Sequence, residues 1–478
     1  MTPVIFWFRA DLRLSDLPGL IAAASAGTVI PCFILDEGES IEQLGSASRW
    51  WLHQSLTVLS AQITRQGGQL VLKRGDTETV LSELARMTGA KQVMCSRRYT
   101  PAGETQELRV FESLATQAVT LKRYPGSLLF EPGTVLTGAG TPFKVFTPFW
   151  RACMRSPEPP FPKGSLKVTW YASDIASDDL RDWHLEPSNP NWAASFHEHW
   201  VPGEQGAQNA LQRFLSGPVA HYAEGRDQPA EAHTSRLSPH LRFGEISPRQ
   251  IWHAAQQRRA ETPAWSSAIE KFLAEIGWRE FCYQLLDLFP EMPLEPFKAE
   301  FKNFPWQSEV SHVHAWQRGA TGYPIVDAGM RELWRTGFMH NRVRMIVASF
   351  LCKHLLTHWR EGERWFWDTL VDADIAANTC SWQWVAGSGA DAAPYFRIFN
   401  PIAQGEKFDT QGEYVRRWCP EIAALPNKYI HKPWEATQAV LDEASIVLGE
   451  DYPLPIVDHA AARERALGAY QVLRALNK

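Results

Sequence analysis

The sequence has no long apolar segment that could serve as a membrane span or a secretory leader. Its apolar runs are short, such as residues 4–8 and 31–35, whereas a transmembrane helix needs about 20 such residues. Arg9 and Asp11 follow the first run too closely for the apolar core of a leader. We therefore expect a cytoplasmic protein that does not enter a membrane.

Cysteine usage and net charge narrow the chemistry further. The seven cysteines are scattered, with no CxxC pair and no Cys/His cluster, so we expect no zinc or iron–sulfur site and assign no metal. Dispersed thiols are typical of a reducing compartment. The net charge of −5 argues against a dedicated nonspecific DNA-binding protein, but it permits a local basic patch.

What the sequence does contain is a globular composition that is rich in tryptophan. Hydrophobic residues make up 45% and charged residues 21% of the chain, which excludes disorder over most of its length. Tryptophan occurs 21 times, nearly as often as the 24 phenylalanines. Indoles pack in cores and interfaces, stack on flat ligands and are readily oxidised, so composition leaves all three uses open.

The first 125 residues alternate between strand-like and helix-like patterns. This alternation predicts a Rossmann-like parallel α/β sheet. A GxGxxG fingerprint and a Walker A loop are both absent, so a ligand of this region must bind in another way. The predicted strands lie at 3–8, 28–35, 70–74, 91–96 and 119–124, and the predicted helices at 16–26, 46–66, 77–88 and 103–117.

Changes in pattern divide the chain into three parts. We assign residues 1–130 to the α/β domain and residues 131–205, which are rich in Pro, Gly, Ser and Trp, to an interdomain connector. Residues 206–478 repeat apolar positions at helical spacing and predict an all-α domain. Ser247 and Pro248 suit a helix start, and Gly337 suits a helix end.

A hydroxyl cluster could bind phosphate. Thr234, Ser235 and Ser238 lie within five residues, together with Arg236 and Leu237. Hydroxyls and backbone N–H groups before a helix can hold a phosphate. A turn followed by a helix cap uses the same residue types, and by itself the cluster favours that explanation.

Two other motifs pair a polar group with a ring or a thioether at helical spacing. Glu275 and Trp278 share a helix face, where a carboxyl group can hydrogen-bond the polar edge of a ring stacked on the indole. Asn341 and Met345 share another face, which suits the wall of a flat ligand. The structural alternatives are a solvated glutamate beside a packed tryptophan and a helix that passes from surface to core.

An acidic motif contains Asp372, Asp374 and Asn378. The carboxylates can bind a metal or accept hydrogen bonds from ring N–H groups. No further ligand lies at a suitable spacing, which argues against the metal. The segment 391–409 is dense in polar residues for a loop, but it indicates no single chemistry.

Together these motifs resemble the photolyase/cryptochrome family. The similarity covers almost the whole chain in the family's order, and it implies an α/β antenna domain followed by a helical domain that binds FAD. The segments that carry it are WFRADLRLSD, TSRLS, EIGWREF, TGYPIVDAGMREL, MHNRVRM, DADIAANTCSWQW and DAAPYFRIFNPIAQGEKFD.

The resemblance assigns a set of residues to FAD. Asn378 matches the position that faces flavin N5. Arg344 is expected to pair with Asp374, since an unpaired buried acid is costly. The full set is Tyr222, Thr234, Ser235, Arg236, Leu237, Ser238, Asn341, Arg344, Asp372, Asp374 and Asn378.

The resemblance also implies a chain of electron-transfer tryptophans. Trp382 is expected nearest the flavin, Trp359 next and Trp306 at the surface. Core packing is the alternative for each of these residues. Further tryptophans are a hypothetical second branch, namely Trp334, Trp365 and Trp367.

Within the family, the sequence resembles bacterial cyclobutane pyrimidine dimer (CPD) photolyases that are close to plant cryptochromes, often called class III. The histidine pair of (6-4) photolyases is missing, because Asn341 and Met345 occupy those positions. Plant cryptochromes generally carry Asp where Asn378 stands. MRELWRTG, FWDTLVDAD, GEYVRRW and YPLPIV are nevertheless similar to plant cryptochromes, and the DASH branch fits less well.

The implied function is light-driven repair of CPD lesions in DNA by electron transfer from excited FADH⁻. The lesion is expected to be flipped out and bound by a monomer. Asn378 joins Glu275, Asn341 and Met345 as the catalytic set. The residues expected to contact damaged DNA are Trp278 and Trp384 as aromatic walls, Glu275, Asn341 and Met345 around the dimer, and Arg226, Arg342 and Arg397 at phosphates.

The resemblance also implies an antenna chromophore, and two functions other than DNA repair stay open. Methenyltetrahydrofolate is the expected antenna, with Glu104 as its contact. Gly103 stands where many relatives have Asn, and a deazaflavin stays open. A blue-light signalling cryptochrome without repair activity is the main alternative, and a thermal flavin oxidoreductase ranks below it because a nicotinamide-site signature is missing.

Overall fold

A five-stranded parallel sheet organises the N-terminal part of the chain. In the computed structural model, which describes residues 2–38, 43–164, 166–172, 175–391 and 396–476, the strand order is β3-β2-β1-β4-β5. Ile5 of the central strand pairs with Ile30 on one side and Val93 on the other. The strands are β1 (Pro3–Phe8), β2 (Thr28–Leu35), β3 (Val71–Arg74), β4 (Gln92–Ser96) and β5 (Thr120–Tyr124).

Four helices connect these strands. Asp76 caps α3 by accepting from the Thr79 N–H, and Thr100 caps α4 by accepting from the Gly103 N–H. Strands β1 and β2 are almost entirely buried, as expected for parallel strands covered on both faces. The predicted α/β alternation is therefore confirmed. The helices are α1 (Pro18–Ala26), α2 (Ser46–Arg65), α3 (Thr77–Thr88) and α4 (Pro101–Ala115).

Helices are the regular elements of the described residues from 206 onward, which confirms the predicted all-α character of this part. Ser247 forms a capping box with Gln250, and Gly337 ends its helix in the left-handed region, as predicted. The helices are α5 (Phe146–Cys153), α6 (Phe196–His199), α7 (Glu204–Ser216), α8 (Tyr222–Gly225), α9 (Ser238–Arg242), α10 (Pro248–Glu261), α11 (Ser266–Leu288), α12 (Val310–Arg318), α13 (Pro324–Thr336), α14 (Asn341–Ser349), α15 (Trp359–Thr369), α16 (Ile375–Ala386), α17 (Pro401–Phe408), α18 (Glu413–Trp418), α19 (Gln438–Glu443) and α20 (His459–Leu476).

Two units emerge from the packing. The first contains residues 1–220 and 235–290, and the second contains residues 221–234 and 291–478. The predicted connector belongs to the first unit, where the backbone around Trp170 bridges to Val29 of the sheet. The domain boundaries at residues 130 and 205 stay a prediction.

The second unit has a continuous core in which tryptophan is prominent. Trp316, Trp359 and Trp382 are buried there with Leu333 and Val347. A turn of π-helix over Phe350–His354 follows α14 and contributes further buried side chains to this core. Among the described residues, no helix combines the length and the apolar character needed to cross a membrane.

Candidate functional site

Arg344 and Asp372 form an ion pair in the second unit. The Arg344 Nη2 atom lies 2.9 Å from Asp372 Oδ2, and its Nε donates to the Met339 carbonyl at 2.7 Å. The expected pairing of Arg344 with Asp374 is corrected here. Asp374 stands at the N-cap of α16, where its Oδ1 accepts from the Ala377 N–H at 2.9 Å, so this oxygen serves the first turn of the helix.

His340 sets the start of α14 and was missed by the sequence analysis. Its Nδ1 accepts from the Arg342 N–H at 3.3 Å, and its own backbone N–H donates to Glu332 at 3.1 Å. Burial lowers the pKa of His340 to about 4, so the imidazole stays neutral at pH 7. A neutral histidine at an N-cap leaves Asn341 as the first residue of the helix. In the sequence, His340 directly before Asn341 in MHNRVRM was the feature that could have indicated this helix start.

Asn378 is buried, and its amide orientation is fixed by α15. The Nδ2 group donates to the Glu363 carbonyl oxygen at 3.1 Å. The neighbouring Thr379 hydroxyl donates to the Glu363 carboxyl group. Because a carbonyl oxygen only accepts, the NH₂ of Asn378 must face α15, and its own amide oxygen is directed away from Glu363.

The chemistry of these side chains fits a flavin. Asp372 and Asp374 are both 8% exposed and supply acceptor oxygens, Arg344 supplies N–H donors, and Asn378 supplies an oxygen and an NH₂ group. An isoalloxazine ring presents alternating N–H and C=O groups along one edge, which such a set can match. The arrangement therefore suits this cofactor better than a metal.

The hydroxyl cluster takes the form of a turn before a short helix. The Ser235 Oγ accepts from the Leu237 N–H at 3.4 Å. Arg236 adopts a left-handed backbone with φ of 53°, and its guanidinium stacks over Trp200 at 4.1 Å. Ser238 is exposed at the first position of α9. The segment spans the unit boundary, with Thr234 in the second unit and Ser235 in the first.

Tyr222 and two arginines lie near one aspartate in the second unit. Arg342 pairs with Asp227 at 2.8 Å and stacks over Phe408 at 4.4 Å. Arg226 approaches the same carboxylate at 4.0 Å and lies 5.6 Å from the centre of the buried Tyr222 ring. Asp227 thus holds two guanidinium groups close together, and guanidinium groups suit an anionic ligand.

The expected electron-transfer tryptophans differ in burial. Trp382 and Trp359 are 2% and 1% exposed, whereas Trp306 is only partly buried. The His358 ring lies between the last two, with its centroid 5.5 Å from Trp359 and 5.2 Å from Trp306. Trp306 is therefore the tryptophan of the three that lies nearest the surface, and the order of Trp382 and Trp359 relative to a flavin stays a prediction.

A stacking contact joins two tryptophans of the hypothetical second branch. Trp334 is 51% exposed and stacks on the partly buried Trp365, with centroids 6.2 Å apart and planes 7° apart. Trp365 precedes Phe366, which contacts Trp382 edge-on at 5.0 Å. This geometry permits a surface-to-core aromatic path.

Trp278 is held flat in the first unit. Its ring stacks on Phe146 of α5 at 3.8 Å with planes 10° apart. Helix α5 comes this close because Gly277 has no side chain, and a Cβ there would lie 2.4 Å from the Trp150 ring. Glu275 is half-buried on the same helix. Phe146 was not among the predicted site residues, and although it begins the aromatic segment FTPFW, nothing in that segment indicates Trp278 as its partner.

The remaining expected DNA contacts belong to the second unit. Trp384 donates through Nε1 to the Asp391 carbonyl at 3.1 Å, which fixes its ring, and Met345 is half-buried. Arg397 is exposed and lies over Phe399 at 4.7 Å. Residues 392–395 of the motif that begins at Asp391 lie outside the described residues.

A separate pocket opens at the carboxyl ends of β1 and β2 in the first unit. Arg9, Phe33 and Gly103 are among its lining residues. Arg9 is buried and pairs with Glu107 at 2.7 Å, while its Nε and Nη1 atoms find no hydrogen-bond partner among the described residues. Glu104, the expected antenna contact, is exposed and pairs with Arg97 at 3.2 Å instead of lining this pocket.

Comparisons with known proteins identify the family of the chain. Residues 4–165 match the family model for DNA photolyase, and residues 272–472 match the model for the FAD binding domain of DNA photolyase. The chain is 52% identical to the deoxyribodipyrimidine photo-lyase of Agrobacterium fabrum, over 99% of this chain and 98% of that one. It is 39% identical to cryptochrome-1 of Arabidopsis thaliana, over 96% of this chain and 69% of that one.

A solved structure extends the similarity to three dimensions. The class III photolyase of Agrobacterium tumefaciens superimposes with a TM-score of 0.96 at 51% identity, covering 99% of this chain and 98% of that one. The family models together match well over half of the sequence. The chain belongs to the photolyase/cryptochrome family.

Proposed function

We propose that this protein is a light-driven DNA repair enzyme that splits cyclobutane pyrimidine dimers. The observation that carries the proposal is Trp278, a stacking platform held against Phe146 with Glu275 on the same helix. Identity of 52% to a protein named deoxyribodipyrimidine photo-lyase supports the same reaction. We also propose that the enzyme is a cytoplasmic monomer.

FAD is the proposed cofactor, and the second unit supplies most of its contacts. When bound and reduced, the flavin supplies on illumination the electron that splits the dimer and recovers it afterwards. Asp372 and Arg344, joined in an ion pair, orient acceptors and donors toward the ring edge. Asn378 offers its amide oxygen. The hydroxyls of Thr234, Ser235 and Ser238 are proposed to bind the phosphates.

The dimer is proposed to leave the duplex and to enter a pocket with aromatic walls. Extrusion costs only a few kcal/mol, and least for a damaged base, so selectivity begins with the lesion itself. Trp278 and Trp384 stack on the dimer, Glu275 and Asn341 bind its polar edges, and Met345 packs against it. The phosphate contacts are Arg226, Arg342 and Arg397, which give affinity without sequence preference.

The tryptophans are proposed to carry electrons inward from the protein surface. Trp306, Trp359 and Trp382 form the main path, and His358 fills the space between the first two. The stacked pair Trp334 and Trp365 is proposed as the start of a second path. Separate Trp306→Phe and Trp365→Phe variants, compared in their rate of photoreduction, distinguish the two.

An antenna chromophore is proposed for the pocket at the ends of β1 and β2. In a doubly wound sheet, ligands bind at the carboxyl ends of the strands. The Nε and Nη1 groups of Arg9 lack partners among the described residues and suit a ring carbonyl such as that of methenyltetrahydrofolate. Glu104 is retained as a peripheral contact of this chromophore.

Binding in the dark tests the proposal without illumination. The affinity for a duplex with one thymine dimer is measured against the same duplex undamaged, for wild type, Trp278→Ala and Trp334→Ala. Stacking of a base is worth about 1–3 kcal/mol, so Trp278→Ala is expected to weaken lesion binding roughly 5- to 150-fold. The exposed Trp334 is the matched control. Equal affinity of wild type for both duplexes would favour the signalling cryptochrome.

A further inference from the structure

Helices α15 and α16 are joined by a carboxyl group that the proposed function does not use. Glu363 is 9% exposed, and burial raises the pKa of its carboxyl group above the ordinary range. The Thr379 hydroxyl donates to its Oε1. One residue earlier, Asn378 donates to the backbone oxygen of the same glutamate at 3.1 Å. Two adjacent residues of α16 thus bind one residue of α15.

This pair of bonds decides which end of the Asn378 amide is available to a ligand. An asparagine amide can rotate by half a turn and exchange its oxygen for its NH₂ group. The backbone carbonyl of Glu363 can only accept a hydrogen bond. At the observed distance between the helices, the NH₂ group of Asn378 must therefore face α15. If the helices separate, the selection is lost, because the bond from Asn378 depends on the position of α15.

We propose that Glu363 and Thr379 are positioning residues, whose hydrogen bond holds α15 and α16 together so that Asn378 presents its amide oxygen to the flavin. The inference rests on the proposed function only in placing a flavin beside Asn378. An acceptor oxygen attracts a ring nitrogen that carries hydrogen, as in the reduced flavin. It repels the lone pair that the same nitrogen carries in the oxidised flavin. The bond between Thr379 and Glu363 therefore favours the reduced cofactor.

The midpoint potential of the bound flavin tests this inference in the purified holoenzyme. Thr379→Val keeps the side-chain shape and removes the hydroxyl. It is expected to shift the potential downward, with about a fivefold rise in the oxidised-to-reduced ratio at fixed potential, as for a hydrogen bond of ordinary net strength. FAD affinity is expected to change much less. Thr379→Ser restores the hydroxyl and is expected to restore the potential.

A matched control separates positioning from a loss of packing. Thr369 is a 7%-exposed threonine of α15 whose hydroxyl donates to the Trp365 carbonyl within the same helix. Thr369→Val is expected to leave the potential unchanged. Glu363→Gln retains an acceptor for Thr379 and is expected to stay close to wild type, which provides a second test if Thr379→Val loses the cofactor.

An unchanged potential in Thr379→Val, or equal shifts in Thr379→Val and Thr369→Val, would overturn the inference. Neither result bears on dimer repair, which is measured separately on the wild type. Conversely, a wild type that binds FAD and repairs no dimer contradicts the proposed function, while the order of potentials among these variants still tests the positioning role.

Discussion

Gly362 is the point at which α15 touches the indole of Trp382. A Cβ at this position would lie 2.1 Å from Cη2 and 2.4 Å from Cζ3 of Trp382, and 2.7 Å from a methyl group of Leu351. Ordinary carbon–carbon contacts are about 3.5–4.0 Å, so Gly362→Ala requires a displacement of roughly 1.4 Å. Trp382 lies against Trp316 and Phe366 and cannot retreat without moving them.

Gly362→Ala is expected to destabilise the protein and to slow photoreduction. Overpacking of a core costs about 1–3 kcal/mol, and the gain in helix propensity returns about 1 kcal/mol, so the expected net loss is up to about 2 kcal/mol. The displaced Trp382 also changes its distance to Trp359, which lies on the same helix as Gly362. Urea unfolding of the apoprotein and the rate of flavin photoreduction measure the two effects.

Gly468→Ala is the matched control for this prediction. Gly468 also lies within a helix, α20, but apart from the adjoining backbone of that helix and its chain neighbours, a Cβ at this position would have no described atom within 4 Å. This variant is expected to gain up to about 1 kcal/mol and to photoreduce as wild type. If Gly362→Ala matches Gly468→Ala in both stability and photoreduction, then α15 does not lie as close to Trp382 as the structure places it, and the prediction is refuted.

Three further predictions concern a buried amine, the dimer contact and DNA binding. Burial lowers the pKa of Lys353 from 10.5 to about 7. Between these two pH values the unfolded chain holds the proton and the folded chain does not, so the free energy of unfolding should rise with pH. Lys353→Met should raise the stability measured by urea unfolding, most of all below pH 7, where the folded wild type must bury the charged amine. Glu275→Ala should lower the yield of dimer repair more than the affinity for dimer-containing DNA, and equal losses in the two assays would defeat its catalytic role. Arg397→Ala should weaken binding to all DNA sequences alike and reduce the slope of log affinity against log salt by about 1, whereas an unchanged slope would exclude a phosphate contact.

The α/β domain could be predicted almost completely because its signals are local. Strands β1 and β2 are apolar on both faces, and caps such as Asp76 and Thr100 mark the helix starts in the sequence. Parallel strands joined by helices leave few other topologies. The observed strand bounds accordingly differ from the predicted ones by at most one residue.

The contacts within the candidate site were harder to predict from the sequence, because they join residues that are distant along the chain. Asp372 and Asp374 are two residues apart, and nothing local indicates which of them pairs with Arg344 and which caps α16. Phe146 lies in a segment without periodicity, so its stacking on Trp278 could not be foreseen. Glu363 is buried in its helix, whereas a glutamate in a sequence is ordinarily expected at the surface.

Light-dependent repair of a defined lesion tests the central claim most directly. The purified protein, with its flavin reduced, is mixed with an oligonucleotide that carries one thymine dimer, and half of the sample is exposed to blue light while half stays dark. Intact thymines are expected to return in the illuminated half only. A flavin that photoreduces normally while the dimer persists in both halves would contradict the account and would indicate a signalling photoreceptor.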